Sequence, residues 1–534
     1  MPLYIREIRL GLDEEEDELL PKAAQRIQIR KEQIVKYKIV RQSIDARDKG
    51  DIHFKYGVAL YLADAREEIC ISQRTGAEYL KEEYPAEIPA GQTPLYKRPV
   101  IAGAGPAGLF CAYLLSVYGF SPLLIERGKG TDERISDFEA LNEKGVLDPE
   151  SNVCFGEGGA GAFSDGKLTT RIKDARAGTV LKLLIKAGAP EDILYAAKPH
   201  MGTENIRQAV KALRGMIEEN GGDVRFNTCL SDLTIAEGAL ATVTFRSAGH
   251  MEEEAADILV LATGHSSRDT YALLKEKGVA LHKKPFAVGL RIEHPRELID
   301  ASQYGRFFAH PRLGAAEYRM TSRSGNRGVY TFCMCPGGLV INASSEEGHT
   351  AVNGMSYYKR DLENSNSAIV VTVGTDDIPG DELAGVEFQR RWEKACHAAA
   401  GGYGAPCQRT EDFLKGRKTK SFGIVQPTIK PCAAAADINE CLPGFVLQGL
   451  KSGIEDFSRK LKGFNMPDAV LTGAETRTSA PVTIPRGDSL EAVGVKGLYP
   501  AGEGGGHAGG IVSAAVDGLK VAEAIIGKYK PHYY

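Results

Sequence analysis

Tryptophan is nearly absent from this 534-residue chain, with Trp392 the single copy. No two of its ten cysteines have the C-x-x-C spacing, which argues against zinc ribbons and thioredoxin-type dithiols, and no metal site is expected. Scattered free thiols fit a reducing cytoplasm. No run approaches the ~20 apolar residues that span a bilayer. Met1 to Leu10 breaks its apolar residues with charge and does not read as a signal peptide. Charge of one sign is also missing. The 66 basic and 70 acidic residues leave a net charge of −4, so no global field points to nucleic acid or membrane, although a local patch stays open.

Glycine is plentiful, at 60 residues, which fits many tight turns and close backbone contacts. Hydrophobic residues at 43% and charged residues at 25% are those of a soluble globular protein, and the length calls for two or three domains.

The chain is organised around Pro99 to Gly128. Val100 to Ala102 form a short apolar run that ends in Gly103-Ala-Gly105-Pro-Ala-Gly108, and Leu109, Phe110, Tyr113, Leu114 and Val117 follow at helical spacing. A second apolar run, Leu123 to Ile125, ends on Glu126. Strand, glycine turn, helix, strand and acid in that order make a dinucleotide site. Gly103 makes the tight turn, Gly105 lets backbone approach a pyrophosphate, and Gly108 brings the helix close to the strand. Pro106 suits the first helical turn. Glu126 can accept hydrogen bonds from ribose hydroxyls and would repel a 2′-phosphate, which argues against NADP there. The G-x-G-x-x-G spacing recurs at Gly156, Gly158 and Gly161 and at Gly504, Gly506 and Gly509, but neither copy has the flanking strands. FAD and NAD share the adenosine and pyrophosphate, so this stretch alone does not choose between them.

Residues 1–95 read as a separate α+β domain of βαββ order, half of a ferredoxin-like sandwich. Its middle is basic through Lys31, Lys36, Lys38, Arg41, Arg47 and Lys49, either a solvated strand face or a contact surface for RNA or a protein partner. Gln92 to Lys97 reads as a linker. The glycine-rich segment from Asn152 to Leu168 suggests a loop pressed on a flat or charged ligand. Asp223 to Leu230 reads as a third parallel strand leading into a β-meander, and Asp257 to Gly264 as a buried strand ending in a turn. From Pro285 the pattern alternates like antiparallel strands. Cys333 and Cys335 are expected to share one face of such a strand, either as two core cysteines or as a redox pair facing the cofactor. The last seventy residues return to α/β character, with Val512, Ala515, Val516, Leu519, Ala522 and Ile526 on the buried face of a final helix.

Gly103–Gly108 with Glu126, the strand ending Leu261-Ala-Thr-Gly264, and Leu498-Tyr-Pro-Ala-Gly-Glu503 occur in the order seen in single-FAD flavoproteins of the glutathione-reductase-like superfamily. More narrowly, the chain resembles the bacterial, largely uncharacterised FAD-dependent dehydrogenases that carry an extra N-terminal domain. The segments G-E-G-G-A-G-A-F-S-D-G-K-L, A-T-G-H-S-S-R-D, T-G-A-E-T-R-T-S and A-G-E-G-G-G-H-A-G-G-I look like that family's signatures. The resemblance implies a Rossmann-like FAD-binding domain over 96–284 and 466–534, interrupted by an antiparallel α+β substrate domain over 285–465. It implies that FAD is held by Gly103, Gly105, Pro106, Ala107 and Gly108, by Glu126 and Arg127, and by Gly158, Gly159 and Asp165 of the glycine loop. Leu230 would meet the adenine through its backbone, and Thr263 and Gly264 would line the adenosine side. Gly502 and Glu503 stand where relatives usually carry Gly-Asp. Gly509, Gly510 and Ile511 begin a helix whose positive end would favour the anionic reduced flavin. The second βαβ unit and C-x-x-x-x-C pair of disulfide reductases are missing, so NADH or NADPH would need a site without a Rossmann fingerprint.

The function expected is a cytoplasmic FAD-dependent oxidoreductase moving a hydride between flavin N5 and a small organic substrate. The alternatives are an RNA-modifying flavoprotein that docks nucleic acid through residues 1–95, and a non-catalytic flavin-binding protein. No membrane partner is expected. His265 and His507 are the candidates for general acid or base, because histidine carries protons near neutral pH. Arg268 or Lys167 would orient an anionic substrate.

Overall fold

The computed structural model describes residues 2–80 and 87–531. Five short strands form a parallel sheet in the order Leu498–Pro500, Leu259–Leu261, Val100–Ala102, Leu123–Ile125, Asp223–Arg225. Each strand is apolar because both faces of the sheet are covered, as parallel sheets require. Helices Pro106–Val117, Gly202–Glu219 and Ile511–Lys528 cover one face, and the three-stranded meander Thr228–Ala236, Ala239–Ser247, His250–Ala255 covers the other. Phe245, Val243 and Leu233 of the meander are fully buried against that second face.

A seven-stranded sheet forms the second layer, in the order Thr321–Ser324, Arg327–Cys335, Asn364–Val373, Phe286–Pro295, Val470–Glu475, Ala405–Arg409, Ala433–Ala435. All its pairs are antiparallel except the last. The strand Val470–Glu475 belongs to this sheet, so the return to the parallel sheet comes later than the 466 expected. Helix Gly444–Lys460 covers one face with Val446, Leu450, Ile454 and Phe457. The central strands carry Arg291, Glu293, His294 and Ser365–Ser367, all fully buried, so this sheet encloses an unusual amount of polarity.

The N-terminal region forms a four-stranded antiparallel sheet ordered Ile34–Asp45, His53–Leu62, Leu3–Gly11, Glu78–Tyr79. The βαββ expected from sequence is extended by helix Ala65–Thr75 and the two-residue strand Glu78–Tyr79. Gly76 ends that helix at φ +69°, a conformation a glycine takes without strain. The basic residues Lys36, Lys38 and Arg41 are exposed on the edge strand, whose Gln42 exchanges backbone hydrogen bonds with Tyr195 and Ala197. Thr93–Leu95, expected to be linker, is a strand paired in parallel with Tyr529–Pro531. Among the described residues no helix is long and apolar enough to cross a membrane.

Candidate cofactor cradle and active site

The turn after Val100–Ala102 is built by contact. Gly103 has φ +108°, and a Cβ there would meet the Ala262 carbonyl oxygen at 2.4 Å. A Cβ on Gly108 would meet the Gly103 carbonyl oxygen at 1.9 Å, so only glycine lets the helix lie this close. Gly105 is different: its would-be Cβ would touch the Gly159 Cα at 3.9 Å, and a Cβ on Gly159 would press on the Gly105 Cα at 3.2 Å, so two glycine backbones lie in close contact here. Gly105 is the N-cap of helix Pro106–Val117 and supplies no side-chain cap, so first-turn N–H groups of that helix take no acceptor from the cap residue. Ala107 is buried behind it, where Gly518 of the last helix packs on its carbonyl.

Glu126 is buried and bound by three backbone N–H groups. Ala104 donates to one oxygen at 2.7 Å, and Gly128 and Gly156 donate to the other at 3.0 and 2.9 Å. A carboxylate has about four acceptor positions, so one remains for a ligand hydroxyl. Arg127 pairs with Glu150 and Asp269, both at 2.8 Å, and lies over the Phe155 ring. Leu230 is buried in the meander, opposite Phe245.

The glycine loop is anchored from below by Arg134, which is fully buried and donates to the carbonyls of Asn152, Val153 and Glu157. Gly158 donates to the Ala104 carbonyl at 2.8 Å, tying this loop to the first turn. Further along, a Cβ on Gly161 would touch the Ile511 side chain at 3.2 Å. The loop therefore runs past the starts of both long helices.

On the opposite side, Gly264 has φ +76° with open space around it, and a Cβ on Gly504 would meet its carbonyl at 2.7 Å. Thr263 accepts a hydrogen bond from Ser267. Gly502 donates to Asp517 at 2.7 Å, and Asp517 is held by Arg486. Gly509 also faces open space, and Gly510, at φ +99°, caps Ile511–Lys528 with no side-chain acceptor. Burial raises the Glu503 carboxyl to about 7, against the pull of Lys284 and the Gly510 N–H. Two uncapped helix ends and a buried acid with one acceptor position left fit a dinucleotide with anionic phosphates and a ribose. A side chain at Gly264 or Gly509 would occupy the open space beside it.

The residues expected to do chemistry are not all free to do it. Arg268 is buried, paired with Glu393 and Glu346 at 2.7 Å each, and bonded to Gln389, so its charge is already taken up by the protein. Asp165, expected at the cofactor, is buried in a cluster with Arg360, Lys167 and Ser356 that fastens the glycine loop to the antiparallel sheet. Lys167 is partly exposed but pairs with Asp165 at 2.6 Å and donates to the Met334 carbonyl. Burial works against its charge, and Asp165 and Glu317 outweigh burial and hold it above its ordinary value. His265 bonds Ser266 at 2.8 Å, and burial with the charges of Arg477 and Arg268 pushes it down to about 4. It is therefore neutral at pH 7. His507 bonds the Ile484 carbonyl through Nε2 at 2.9 Å, and burial lowers it too.

Cys333 and Cys335 do not share a face. The strand register breaks between Phe332 and Cys335, Cys333 takes φ +41°, and Cys333 is exposed where Cys335 is buried. Burial nevertheless raises the Cys333 thiol to about 12.

Three features had no visible partner in the sequence. Glu393 on helix Ala384–Ala400 binds both Arg268 and Arg477 from elements far apart in the chain. Arg291 binds Glu475 and donates to the Cys333 carbonyl at 2.7 Å. Lys284, beside a strand pair, feels the charge of Glu503, which opposes the lowering of its pKa by burial. Arg477 and Glu475 stood inside the segment T-G-A-E-T-R-T-S, but only the fold supplies their counter-charges.

Residues 285–478 match the family described as FAD-dependent protein, C-terminal domain-like, and residues 1–61 match a domain of unknown function, DUF8436. A protein of Clostridium beijerinckii described as "Uncharacterized protein" is 47% identical over 535 aligned positions, covering 99% of each chain. Solved structures with a distant likeness include a triple mutant of the flavin-dependent brominase Bmp2, at TM-score 0.37 and 11% identity over 79% of this chain and 78% of that one. Another is a geranylgeranyl bacteriochlorophyll reductase-like protein from Thermoplasma acidophilum, at TM-score 0.35 and 12% identity over 80% and 78%.

Proposed function

Since this chain belongs to one family with the Clostridium beijerinckii protein and takes FAD as its cofactor, we propose that it is an FAD-dependent oxidoreductase acting on a small organic substrate. The observation that carries this reading is the buried Glu126 carboxylate, bound by three backbone N–H groups with one acceptor position left, at the turn that leads into the uncapped helix end at Gly105. FAD bound there supplies two-electron chemistry, exchanging a hydride with substrate at flavin N5. The chain's own residues bind, orient and exclude water. Glu126 takes a ribose hydroxyl, and the helix starting at Pro106 faces the phosphates. Glu503, with Gly502, meets the ribityl chain. The parallel-sheet layer is the dinucleotide-binding domain of the glutathione-reductase-like superfamily, and the seven-stranded sheet bounds the substrate. The sheet order of the N-terminal region is that of a ferredoxin-like sandwich.

His265 and Glu503 are the candidate proton-carrying groups of this site, and Arg477, which bonds the same Ser266 hydroxyl as His265, is a positioning residue. A shielded place between two layers is where small-molecule sites usually lie. The test is direct. The purified chain should be yellow and release unmodified FAD on denaturation. Mixed anaerobically with NADH, NADPH or metabolite pools, it should bleach with at least one. A protein that holds no flavin even after reconstitution would refute the reading, and one that holds FAD but is reduced by no donor would be a non-catalytic binder.

A further inference from the structure

In the N-terminal four-stranded sheet, Leu3, Ile5, Val58 and Leu60 are buried in the hydrophobic core. Strand alternation sends the residues between them to the other face. The register fixes which of these meet there. Ala59 lies between Tyr4 on one neighbouring strand and Lys38 on the other, while Gly57 pairs with Arg41 and Tyr61 with Lys36. Tyr4 therefore shares a face with Lys36, Lys38 and Arg41. Its ring lies along the sheet, because a Cβ on Gly57 would meet the Tyr4 hydroxyl at 2.5 Å and its Cζ at 3.1 Å. Glycine at 57 makes room for the ring to lie down. Beside it, the Lys36 ammonium stands 5.9 Å from the centre of the Tyr61 ring.

Charge on this sheet is unbalanced. Glu78 pairs with Arg6, Asp51 with Arg9 and Asp45 with Arg47, and Lys49 donates to the Ser302 carbonyl. Lys36, Lys38 and Arg41 are exposed and make no ion pair among the described residues. From 36 to 41 they run along one strand for roughly 17 Å. A line of that length suits a polyanion better than a single carboxylate or phosphate. The flat ring of Tyr4 next to it narrows the choice, since an acidic peptide or a lipid headgroup has no face to stack there. A nucleic acid has both phosphates and rings, and its bases are free to stack on a side chain only where they are not already paired in a duplex. RNA presents such bases in loops and single-stranded ends.

We propose that this face of the N-terminal sheet is a docking surface for single-stranded RNA, with a base stacked on Tyr4 and phosphates held by Lys36, Lys38 and Arg41. The three cations act through charge and carry no sequence information, and Tyr4 accepts any base because every base has a flat face. The surface belongs to a different sheet from the cofactor cradle, so RNA binding needs no FAD.

The experiment titrates the full chain into a fluorescein-labelled RNA of about twelve nucleotides and mixed sequence, read by anisotropy from 50 to 200 mM salt. The wild type should bind, with a log–log salt slope of roughly −2, as three phosphate contacts on a single strand give. The same sequence as an RNA duplex should bind at least tenfold more weakly, and as single-stranded DNA more weakly than as RNA. Replacing all three cations (Lys36→Gln, Lys38→Gln, Arg41→Gln) should lower affinity at least tenfold and flatten the salt slope. Tyr4→Ser should lower affinity about fivefold or more and keep the slope, while Tyr4→Phe retains wild-type binding. Circular dichroism and Tm check that each variant is folded; should Tyr4→Ser not fold, the triple variant, changed only at exposed positions, decides. No RNA binding by the wild type at 50 mM salt overturns the proposal. So does wild-type affinity in the triple variant, a duplex bound as tightly as the single strand, or DNA bound as tightly as RNA.

Discussion

Glu126 accepts a hydrogen bond of 2.9 Å from the backbone N–H of Gly156, joining the acid that ends one strand to the glycine loop. With the bonds from Ala104 and Gly128, the carboxylate is the pin of both glycine turns. Glu126→Ala should therefore do two things at once. It removes the acceptor for a ribose hydroxyl, and it leaves three buried N–H groups without partners. Hydrogen bonds to a charged group contribute about 1.5–3 kcal/mol each, so FAD affinity should fall at least tenfold by fluorescence titration. Unchanged affinity would place the ribose elsewhere.

The glycines divide into those that need to be glycine and those that do not. Gly108→Ala drives a methyl into the Gly103 carbonyl oxygen at 1.9 Å and should prevent stable folding or FAD retention. Gly178 lies inside helix Arg176–Lys186 with nothing within 4 Å of its would-be Cβ. Gly178→Ala should stabilise the protein by about 0.5–1 kcal/mol, through helix propensity and a less disordered unfolded chain. Urea unfolding of both variants checks the contrast.

Much of this was legible in the sequence. The cofactor unit from Val100 to Glu126 is local, and its strand, turn and helix are each encoded by neighbours. Cys333 shows where such reading stops. Alternation put it on the face of Cys335, but a bulge shifts the register, and a bulge depends on the partner strand rather than on local sequence. Arg268 is a second case. Its place in A-T-G-H-S-S-R-D suggested a substrate contact, while Glu393, 125 positions away, captures it. The two-residue strand Glu78–Tyr79 was too short for any periodicity to show.

Glu393 joins Arg268 and Arg477 in a buried ion cluster, and its removal should be severe. Burial opposes its charge, but Arg268 and Arg477 outweigh burial and hold its pKa below the ordinary carboxylate value. Glu393→Gln strands two guanidinium groups, and breaking a buried pair costs about 3–5 kcal/mol. The pH dependence has a definite sign. A lowered folded pKa gives stability that is full above the unfolded value of 4.5 and is lost as pH falls from there through the folded value. The acid limb of wild-type stability should therefore be steeper than that of Glu393→Gln, as measured by denaturant midpoints from pH 7 to pH 3. Parallel limbs would show that the cluster is not formed.

Cysteine labelling tests the raised Cys333 thiol against the other exposed cysteines. Cys70, Cys333 and Cys432 are all exposed, yet burial raises the Cys333 thiol to about 12. The thiolate is the nucleophile, so iodoacetamide at pH 7.5 should modify Cys70 and Cys432 well before Cys333. The Cys333 rate should keep rising tenfold per pH unit above pH 9. Mass spectrometry of timed samples reads all three sites together. Early modification of Cys333 would mean that its sulfur faces bulk solvent.

The final prediction concerns which group near the flavin titrates at physiological pH. Sequence favours His265, since histidine ordinarily titrates near 6.5. Its surroundings reverse the expectation: burial first, then Arg477 and Arg268, push it to about 4, while burial raises Glu503 to about 7. The acid, not the base, should therefore carry the neutral-pH transition. A pH titration of the flavin absorbance band should show a midpoint near 7 in the wild type. Glu503→Gln should abolish that transition, whereas His265→Asn should leave it in place and shift it only slightly. For stability the two groups have opposite signs. His265 resists protonation when folded, so its contribution is full above 6.5 and is lost as pH falls through 4. Glu503 resists ionisation when folded, so its contribution is full below 4.5 and is lost as pH rises through 7. A flavin transition near 7 that disappears in His265→Asn and survives in Glu503→Gln would exchange the two roles and return the proton carrier to the histidine.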